Sequence, residues 1–159
     1  MTVSAQSLIC RQGFSVSVHR IRLAGPWEYK WLESLDDKHP EQATGTIKIP
    51  ADWQVVFGLI AGNAVFARRF HRPTNLEPHE QVVIHFKGIA GSGEIRLNDV
   101  VLMIFPETAG VLECDITTSM LAFNRLEIRL RFDPSVSSVT RGGLFDDVAI
   151  EIRSSGSDE

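Results

Sequence analysis

Apolar and polar side chains alternate with a period of two residues in several stretches of the chain, and almost nothing repeats at the helical period of about 3.6 residues. The stretch RLEIRLRF, residues 125–132, puts its apolar side chains on one face and its charged side chains on the other. QVVIHFKG at 81–88 and WEYKW at 27–31 alternate in the same way. VAIEIR at 148–153 is predicted to be a closing strand with Val148, Ile150 and Ile152 facing inward. This alternation is typical of antiparallel strands with one face on a core and the other in water.

Local signals between these stretches predict how the strands end and turn. AVFARRF at 64–70 and GTIKIP at 45–50 are predicted to be strands, the second a short edge strand that ends at Pro50. In FSVSVHRIRL the apolar positions change parity, which predicts a β-bulge near His19 and Arg20. The pair Asn98 and Asp99 is expected to form a two-residue hairpin turn, because both residues tolerate a positive φ.

One segment, DITTSMLAFN at 115–124, predicts helix, and only a single turn of it. Asp115 or Thr117 would cap that turn, and Asn124 would close it in the left-handed conformation. About nine or ten short strands with regular turn signals predict an all-β fold, an antiparallel β-sandwich of the jelly-roll kind. Residues 1–153 are expected to form this single domain, and the last residues, 154–159, a disordered tail.

Size and charge limit the number of domains and the kinds of binding partner. The chain has 159 residues, of which 43% are hydrophobic, enough for one domain with a core and too few for two. Its 16 Lys and Arg against 20 Asp and Glu give a formal charge of -4, so we expect no nucleic-acid partner and no anionic-membrane partner. The cluster of Arg68, Arg69 and Arg72 is too short to change this expectation.

Signals for targeting and for disulfides are weak. The first thirteen residues lack a basic start followed by a sustained apolar run, and no window approaches the roughly 20 apolar residues that span a bilayer. We therefore expect a cytoplasmic protein that does not enter membranes. Cys10 and Cys114 are far apart and match no zinc or C-x-x-C spacing, which favours two reduced, packed thiols.

Six short motifs follow one another in a familiar order between Leu23 and Ile152. They are LAGPWEYKW, IPADW, GNAVFARRFHRP, VVIHFKGIAGSGEIRLNDVVL, ECDITTSMLAFNRLEIRL and GGLFDDVAIEI. In sequence and spacing they resemble the N-terminal sugar-binding domain of family 2 glycoside hydrolases, the β-galactosidase and β-glucuronidase group. The resemblance implies a galactose-binding-like jelly roll in which Trp27 and Trp53 pack the sandwich.

The chain also departs from that family. An aspartate stands in the closing strand where the family has arginine, Asp99 replaces the glycine of the hairpin, and the loop MIFPETAGVLE lacks the family's glycine- and histidine-bearing pattern. The family's catalytic carboxylates lie in a (β/α)8 barrel that needs about 250 residues of its own. The resemblance therefore implies an accessory domain standing alone, without catalytic residues.

Acidic and histidine-rich segments offer little chemistry. Asp146 and Asp147 are adjacent, and adjacent strand residues point to opposite faces, so they are predicted to form the turn into the last strand and not a glycosidase pair. Asp36 and Asp37 lack the spacing of an EF-hand loop, and none of the five histidines is paired at zinc-ligand spacing. We expect no metal site and no cofactor.

Carbohydrate binding by a β-sandwich needs an exposed aromatic ring to stack on a sugar, with planar polar side chains in reach. Trp31 and Phe105, near loop ends, are the aromatics expected to be exposed, and the polar candidates in adjoining loops are Asp52, Asn63 and Arg141.

Arg68 shares strand parity with Phe66 and Phe70, which leaves two possibilities open. A buried Arg68 would need a carboxylate partner and would serve as a structural anchor. An Arg68 exposed on a concave face would donate to sugar hydroxyls or to a carboxylate.

The sequence thus favours two functions almost equally. The first is a non-catalytic carbohydrate-binding module, which rests on the family resemblance. The second is a protein-interaction or structural module that uses the same scaffold for a protein partner or for self-association. An independent hydrolase would require an acid/base pair that the sequence does not offer.

Overall fold

The structure is a computed structural model that describes residues 16–135 and 141–155. Eight strands and one short helix lie in these ranges. In chain order they are β1 (Val16–Arg22), β2 (Trp27–Ser34), β3 (Thr44–Ile47), α1 (Trp53–Phe57), β4 (Gly62–His71), β5 (Gln81–Leu97), β6 (Val100–Asp115), β7 (Phe123–Phe132) and β8 (Val148–Ser155).

All described strands belong to one curled antiparallel sheet. The order is β1-β8-β5-β7-β4-β2-β3, and β6 pairs with β5 beside this path. β5 makes the curl, because its first part, 81–86, pairs with β8 and its last part, 92–97, pairs with β7. The two halves of the sheet face each other across the core, which confirms the predicted all-β sandwich.

Glycines allow β5 to turn this corner close to β7. Gly91 has a φ of 131°, a conformation that other residues rarely adopt. A Cβ on Gly93 would lie 1.8 Å from the carbonyl oxygen of Arg129, so only glycine fits there. The glycine-rich stretch at 88–93 is the bent middle of one long strand, β5. Fewer strands therefore form in the described ranges than the nine or ten predicted.

The core lies between the two halves and confirms the period-two prediction for most strands. β7 buries Leu126, Ile128, Leu130 and Phe132, all at most 4% exposed, while its alternate residues face outward. The closing strand is different. Ala149 and Glu151, predicted to face water, are also buried. The Glu151 carboxylate binds the guanidinium groups of Arg20 on β1 and Arg153 on β8.

Two turn predictions are confirmed. Asn98 and Asp99 have φ values of 53° and 70° and join β5 to β6 as a two-residue turn of the I′ type. Asp146 and Asp147 lie in the bend before β8, where the amide of Asp146 donates to the carbonyl oxygen of Gly88 at 3.2 Å and Arg22 donates to Asp147 at 2.9 Å. The pair is therefore part of the turn, as expected.

The predicted helix at 115–124 is wrong. Asp115 instead accepts hydrogen bonds from the amide and hydroxyl of Thr117 at 2.8 and 2.6 Å, and the chain makes a tight turn into β7. The helix of the described region is α1, where Asp52 accepts from the amide of Gln54 and Gly58, with a φ of 81°, ends the helix.

The predictions for the β1 bulge, the C-terminal tail and the two cysteines have different outcomes. The bulge expected near His19 and Arg20 is wrong, because β1 pairs with β8 in unbroken register from Val16 to Arg22. β8 runs to Ser155 and so includes the first two residues of the predicted tail, whereas 156–159 lie outside the described residues. Cys114 is free and buried, and burial raises the pKa of its thiol, whereas Cys10 lies outside the described ranges.

Helices long and apolar enough to cross a bilayer do not occur among residues 16–135 and 141–155.

Candidate functional site

Trp31, expected to be exposed, is buried at 8% exposure, so that prediction is wrong. Its ring centroid lies 4.8 Å from that of Phe57 and 5.7 Å from that of Trp53, and its indole nitrogen donates to Ser34 at 3.0 Å. Trp53 and Phe57 come from α1, which sequence periodicity did not predict. This helix closes the end of the sandwich over Trp31 and removes it from any stacking role.

Phe105 is also buried, at 3% exposure, and corrects the second prediction of an exposed ring. It belongs to the lining of a surface groove of about 530 Å³, which we call the distal groove. Asn63 lines the same groove and donates to Glu33 at 3.4 Å. The distal groove is formed by Leu32, Glu33, Asn63, Ser92, Gly93, Glu94, Arg96, Ile104, Phe105, Arg129, Leu130 and Arg131.

Asp52 and Arg141 are neighbours in space but serve local structure. Asp52 caps α1 and also accepts a hydrogen bond from the amide of Gly142 at 3.1 Å, which ties the helix to the segment before β8. The guanidinium of Arg141 lies 4.7 Å from the ring centroid of Phe145, a cation–π contact. These five of the six predicted site residues are therefore spread over three places and do not form one site.

Phe123 is the aromatic side chain that the described part of the chain leaves mostly exposed, at 72%. It begins β7 and pairs with His71, the last residue of β4. The two rings meet edge to face with centroids 4.9 Å apart. This geometry holds the Phe123 ring in place while one face stays open to solvent, which is the arrangement that stacking on a sugar requires.

Phe123 stands in a depression of about 520 Å³ at one end of the sandwich, which we call the rim cleft. Its walls come from the end of β4, the start of β7 and the turn between β5 and β6. The lining residues are Arg68, Arg69, Phe70, His71, Asn98, Phe123, Asn124 and Arg125.

Two asparagines fix the walls of the rim cleft relative to each other. Asn124 is 3% exposed, and its side chain accepts from the amide of Leu121 at 2.8 Å and donates to the carbonyl oxygen of Leu121 at 2.9 Å. Asn98 donates to Asn124 at 3.0 Å and accepts from the amide of Arg125 at 2.9 Å. The turn at 98–99 and the start of β7 therefore form one hydrogen-bonded unit beneath Phe123.

Arg68 lies half-buried in the same cleft. Its Nη1 donates to the carbonyl oxygen of Arg69, and its Nε is buried without a hydrogen-bond partner. No carboxylate of the described residues pairs with it, so the anchoring prediction that required such a partner is not met. Burial lowers the pKa of the Arg68 guanidinium, because the charged form loses hydration there.

The other arginines of the rim cleft differ in their partners. Arg69 is exposed, and it pairs with no acidic side chain in the part of the chain that the structure describes. Arg125 is paired, because it donates to Glu127 at 3.2 Å and to Glu28 at 3.5 Å. The rim cleft thus offers two unpaired guanidinium groups beside one exposed ring.

The other half of the sheet carries the one group of described residues that resembles a metal site. Ligand atoms of His85, Glu113 and Glu151 lie within 4.8 Å of one another, and His85 Nδ1 lies 2.7 Å from Glu113. Arg153 binds both carboxylates, and Arg20 donates to Glu151 at 2.8 Å. Because two guanidinium groups already occupy the carboxylates, the group fits an ion-pair network and not a cation site.

Sequence reasoning missed Phe123 because its segment resembled a helical turn. The signal was present in strand parity. Phe123 has the parity of Arg125, Glu127, Arg129 and Arg131, the polar face of the predicted strand. An aromatic residue on that face is expected to point into solvent.

Comparisons with known proteins show what the fold resembles. No family model matches the chain, and no curated protein matches it by sequence. Among solved structures, an FMN-binding β-glucuronidase from Facaelibacterium prausnitzii L2-6 superposes with a TM-score of 0.69 at 20% identity over 85% of this chain. A β-glucuronidase from Ruminococcus gnavus in complex with D-glucuronic acid gives 0.68 at 12% over 85%, and a β-D-mannosidase from Dictyoglomus thermophilum gives 0.62 at 14% over 83%.

These similarities confirm the fold that the sequence resemblance implied. The chain spans 22%, 29% and 22% of the lengths of these three enzymes, so it corresponds to a minor part of each. At such low identity the shared property is the jelly-roll architecture.

Proposed function

We propose that the protein is a non-catalytic carbohydrate-binding module whose ligand occupies the rim cleft. The observation that carries this proposal is the exposed ring of Phe123, held edge-on by His71 and flanked by Arg68 and Asn98. A sugar ring can stack on the open face of Phe123 while planar polar groups donate to its hydroxyls. The match to a minor part of several glycosidases supports a role beside carbohydrate.

The chemistry of the rim cleft supports binding without hydrolysis. A glycosidase needs two carboxyl groups about 5 to 10 Å apart across the scissile bond. None of the eight residues that line the cleft is acidic. The nearest carboxylates on β7 and β2, Glu127 and Glu28, are engaged by Arg125 and are not placed as an acid and a nucleophile.

One stacked ring and a few hydrogen bonds give weak binding, with an expected Kd of about 1 mM for a short neutral or acidic glycan. A glycan array followed by affinity electrophoresis would find the ligand. Phe123→Ala should then lower the affinity about tenfold, because it removes the stacking surface.

Val55→Ala is the matched control, since Val55 is an exposed apolar residue, at 81%, on α1 and outside the rim cleft. It should leave binding unchanged. Wild-type protein that binds no glycan at about 10 mM would refute the proposal. Equal binding by wild type and Phe123→Ala would refute the placement of the site.

A second candidate function is self-association, favoured by the edge of β6. Among the described strands β6 pairs only with β5, and it carries exposed Val100, Ile104 and Val111 at 60%, 77% and 61%. Two copies of this edge related by a twofold axis could cover these side chains. Light scattering of wild type and Ile104→Lys tests it: a dimer that the substitution dissociates supports it, and a wild-type monomer at high concentration excludes it.

A further inference from the structure

The rim cleft does not stand alone, because two grooves continue it along the outer face of β7. Next to it is a middle groove of about 530 Å³, which shares Arg125 with the rim cleft. The middle groove shares Arg129 with the distal groove. From Phe123 to Arg131 the strand advances about 26 Å. We call this continuous surface the β7 track.

Strand register brings polar groups of neighbouring strands to the track. Arg131 lies between Asn63 of β4 and Ser92 of β5, and Arg129 lies between Val65 and Glu94. These residues have the same parity and therefore share the outward face of the sheet. The track thus presents hydroxyl, amide and guanidinium groups in a row next to the Phe123 ring.

The β7 track carries an excess of positive charge. Arg129 and Arg131 are exposed and make no ion pair with any described residue. Arg125 and Arg96 are paired with Glu127 and Glu94, so their charges are compensated. With Arg68 and Arg69 in the rim cleft, the unpaired guanidinium groups occupy both ends of the track, on a chain whose formal charge is -4.

We infer that the ligand is an extended acidic carbohydrate, an oligosaccharide with carboxylates at intervals, that lies along the β7 track from Phe123 to Arg131. This inference rests on the proposed function and extends it from one sugar to a chain. One sugar stacks on Phe123 beside Arg69, which pairs with Arg125 on the same outward face of the sheet. Sugars further along the chain place their carboxylates against Arg129 and Arg131, and their hydroxyls against Asn63 and Ser92.

The same surface suits an acidic glycan better than a nucleic acid. Single-stranded nucleic acids are held by several exposed aromatic rings in succession. Among the described residues of the track, Phe123 at its end has the mostly exposed ring, whereas Tyr29 and Phe105 are buried. Glu28, Glu94 and Glu127 alternate with the arginines and would repel closely spaced phosphates. A glycan carries fewer charges for its length, and its hydroxyls can donate to these glutamates.

Calorimetric titration with α-1,4-linked oligogalacturonates of one to six sugars tests the inference in low-salt buffer. The affinity should rise with chain length as successive carboxylates reach the track. Arg129→Gln with Arg131→Gln should weaken hexamer binding about tenfold and leave the monomer unchanged. Lys48→Gln with Lys87→Gln removes the same charge from exposed residues outside the track and should change neither.

The outcomes separate this inference from the proposed function. The affinity could be the same for one and six sugars, or for acidic and neutral hexasaccharides. Either result overturns the inference that the ligand lies along the β7 track and leaves the rim cleft as the proposed site. Failure of every glycan to bind overturns both. A single-stranded DNA hexanucleotide that binds more tightly than hexagalacturonate would overturn the assignment to carbohydrate.

Discussion

Two sets of arginines in the two halves of the sheet have opposite surroundings. On β1 and β8, Arg20 and Arg153 are bound to Glu151, whose side chain is 8% exposed. On β4 and β7, the guanidinium groups of Arg68, Arg129 and Arg131 have no acidic partner among the described residues. Both groups project from strands of one sheet, so the difference lies in their neighbours and not in the backbone.

This contrast separates structural charge from charge that is free to bind. A buried carboxylate with two guanidinium groups holds strands together, and removing one member leaves the others uncompensated. An exposed arginine without a partner contributes little to folding. Its charge remains available to an anionic ligand, and the exposed aromatic residue of the described chain lies on that same half.

The largest effect is expected where the two halves join. Gly93→Ala would place a Cβ 1.8 Å from the Arg129 carbonyl oxygen, so the corner must open and the free energy of unfolding should fall by about 3 kcal/mol. Gly110→Ala is the control, because a Cβ at this position would meet nothing within 4 Å. The free energy of unfolding of this variant should change by less than about 0.5 kcal/mol. Urea denaturation measures both. Equal stability of the two variants would contradict the claim that β5 needs a glycine at position 93 to pass close to β7.

The second largest effect is expected from removing the Glu151 carboxylate, which Arg20 and Arg153 share. Glu151→Gln leaves Arg20 and Arg153 without their buried partner and should destabilise the fold by about 2 kcal/mol. Arg129→Gln, in the unpaired group, should change stability by less than about 0.5 kcal/mol. Thermal unfolding at neutral pH compares them. Similar losses of stability in the two variants would show that paired and unpaired arginines do not differ in their contribution to folding.

Acid should weaken the paired half. The hydrogen bond from Arg153 lowers the pKa of Glu113 despite burial, and the bond with His85 adds to this effect. A carboxyl with a depressed folded pKa stabilises the fold above its unfolded pKa of about 4.3 and loses that contribution as pH falls through the folded value. Because Glu113 is partly exposed, the contribution is about 0.5 kcal/mol.

Glu113→Gln should therefore be less stable than wild type at pH 7, and the difference should vanish toward pH 3. Denaturant curves at several pH values measure this convergence. A constant difference across the range would mean that the Arg153 contact does not affect Glu113.

A small effect of the opposite sign is expected at Arg68. Arg68→Met replaces a half-buried, unpaired guanidinium with an apolar side chain of similar length, so stability should rise by about 0.5 kcal/mol. Affinity for an acidic glycan should fall in the same variant. Arg20→Met, which removes a partner of Glu151, should instead lower stability. A loss of stability in Arg68→Met would show that Arg68 has a structural role after all.

The sequence predicted the architecture because alternation reports burial directly. From Leu126 to Phe132 of β7 every second residue is apolar, and those are the residues that the core covers. It could not predict that Gly91 and Gly93 bend one strand, since glycines also mark turns. It also missed α1, a single turn too short for periodicity, although Asp52 before it and Gly58 after it are cap signals.

The candidate site was harder to predict because stacking depends on exposure. Tryptophans are the usual stacking residues, yet Trp31 is covered by α1, an element that the sequence analysis did not place. Arg68 was identified, but its lack of a carboxylate depends on residues distant in sequence. Phe123 could have been found from its parity with Arg125 and Arg129.

Chemical-shift mapping of 15N-labelled protein with hexagalacturonate tests the location of the site most directly. This location should give shifts in the backbone amides of 68–71, 98, 123–125 and 129–131, while the indole signals of Trp31 and Trp53 stay in place. Shifts centred on α1 and the tryptophan indoles, with none at Phe123, would contradict it.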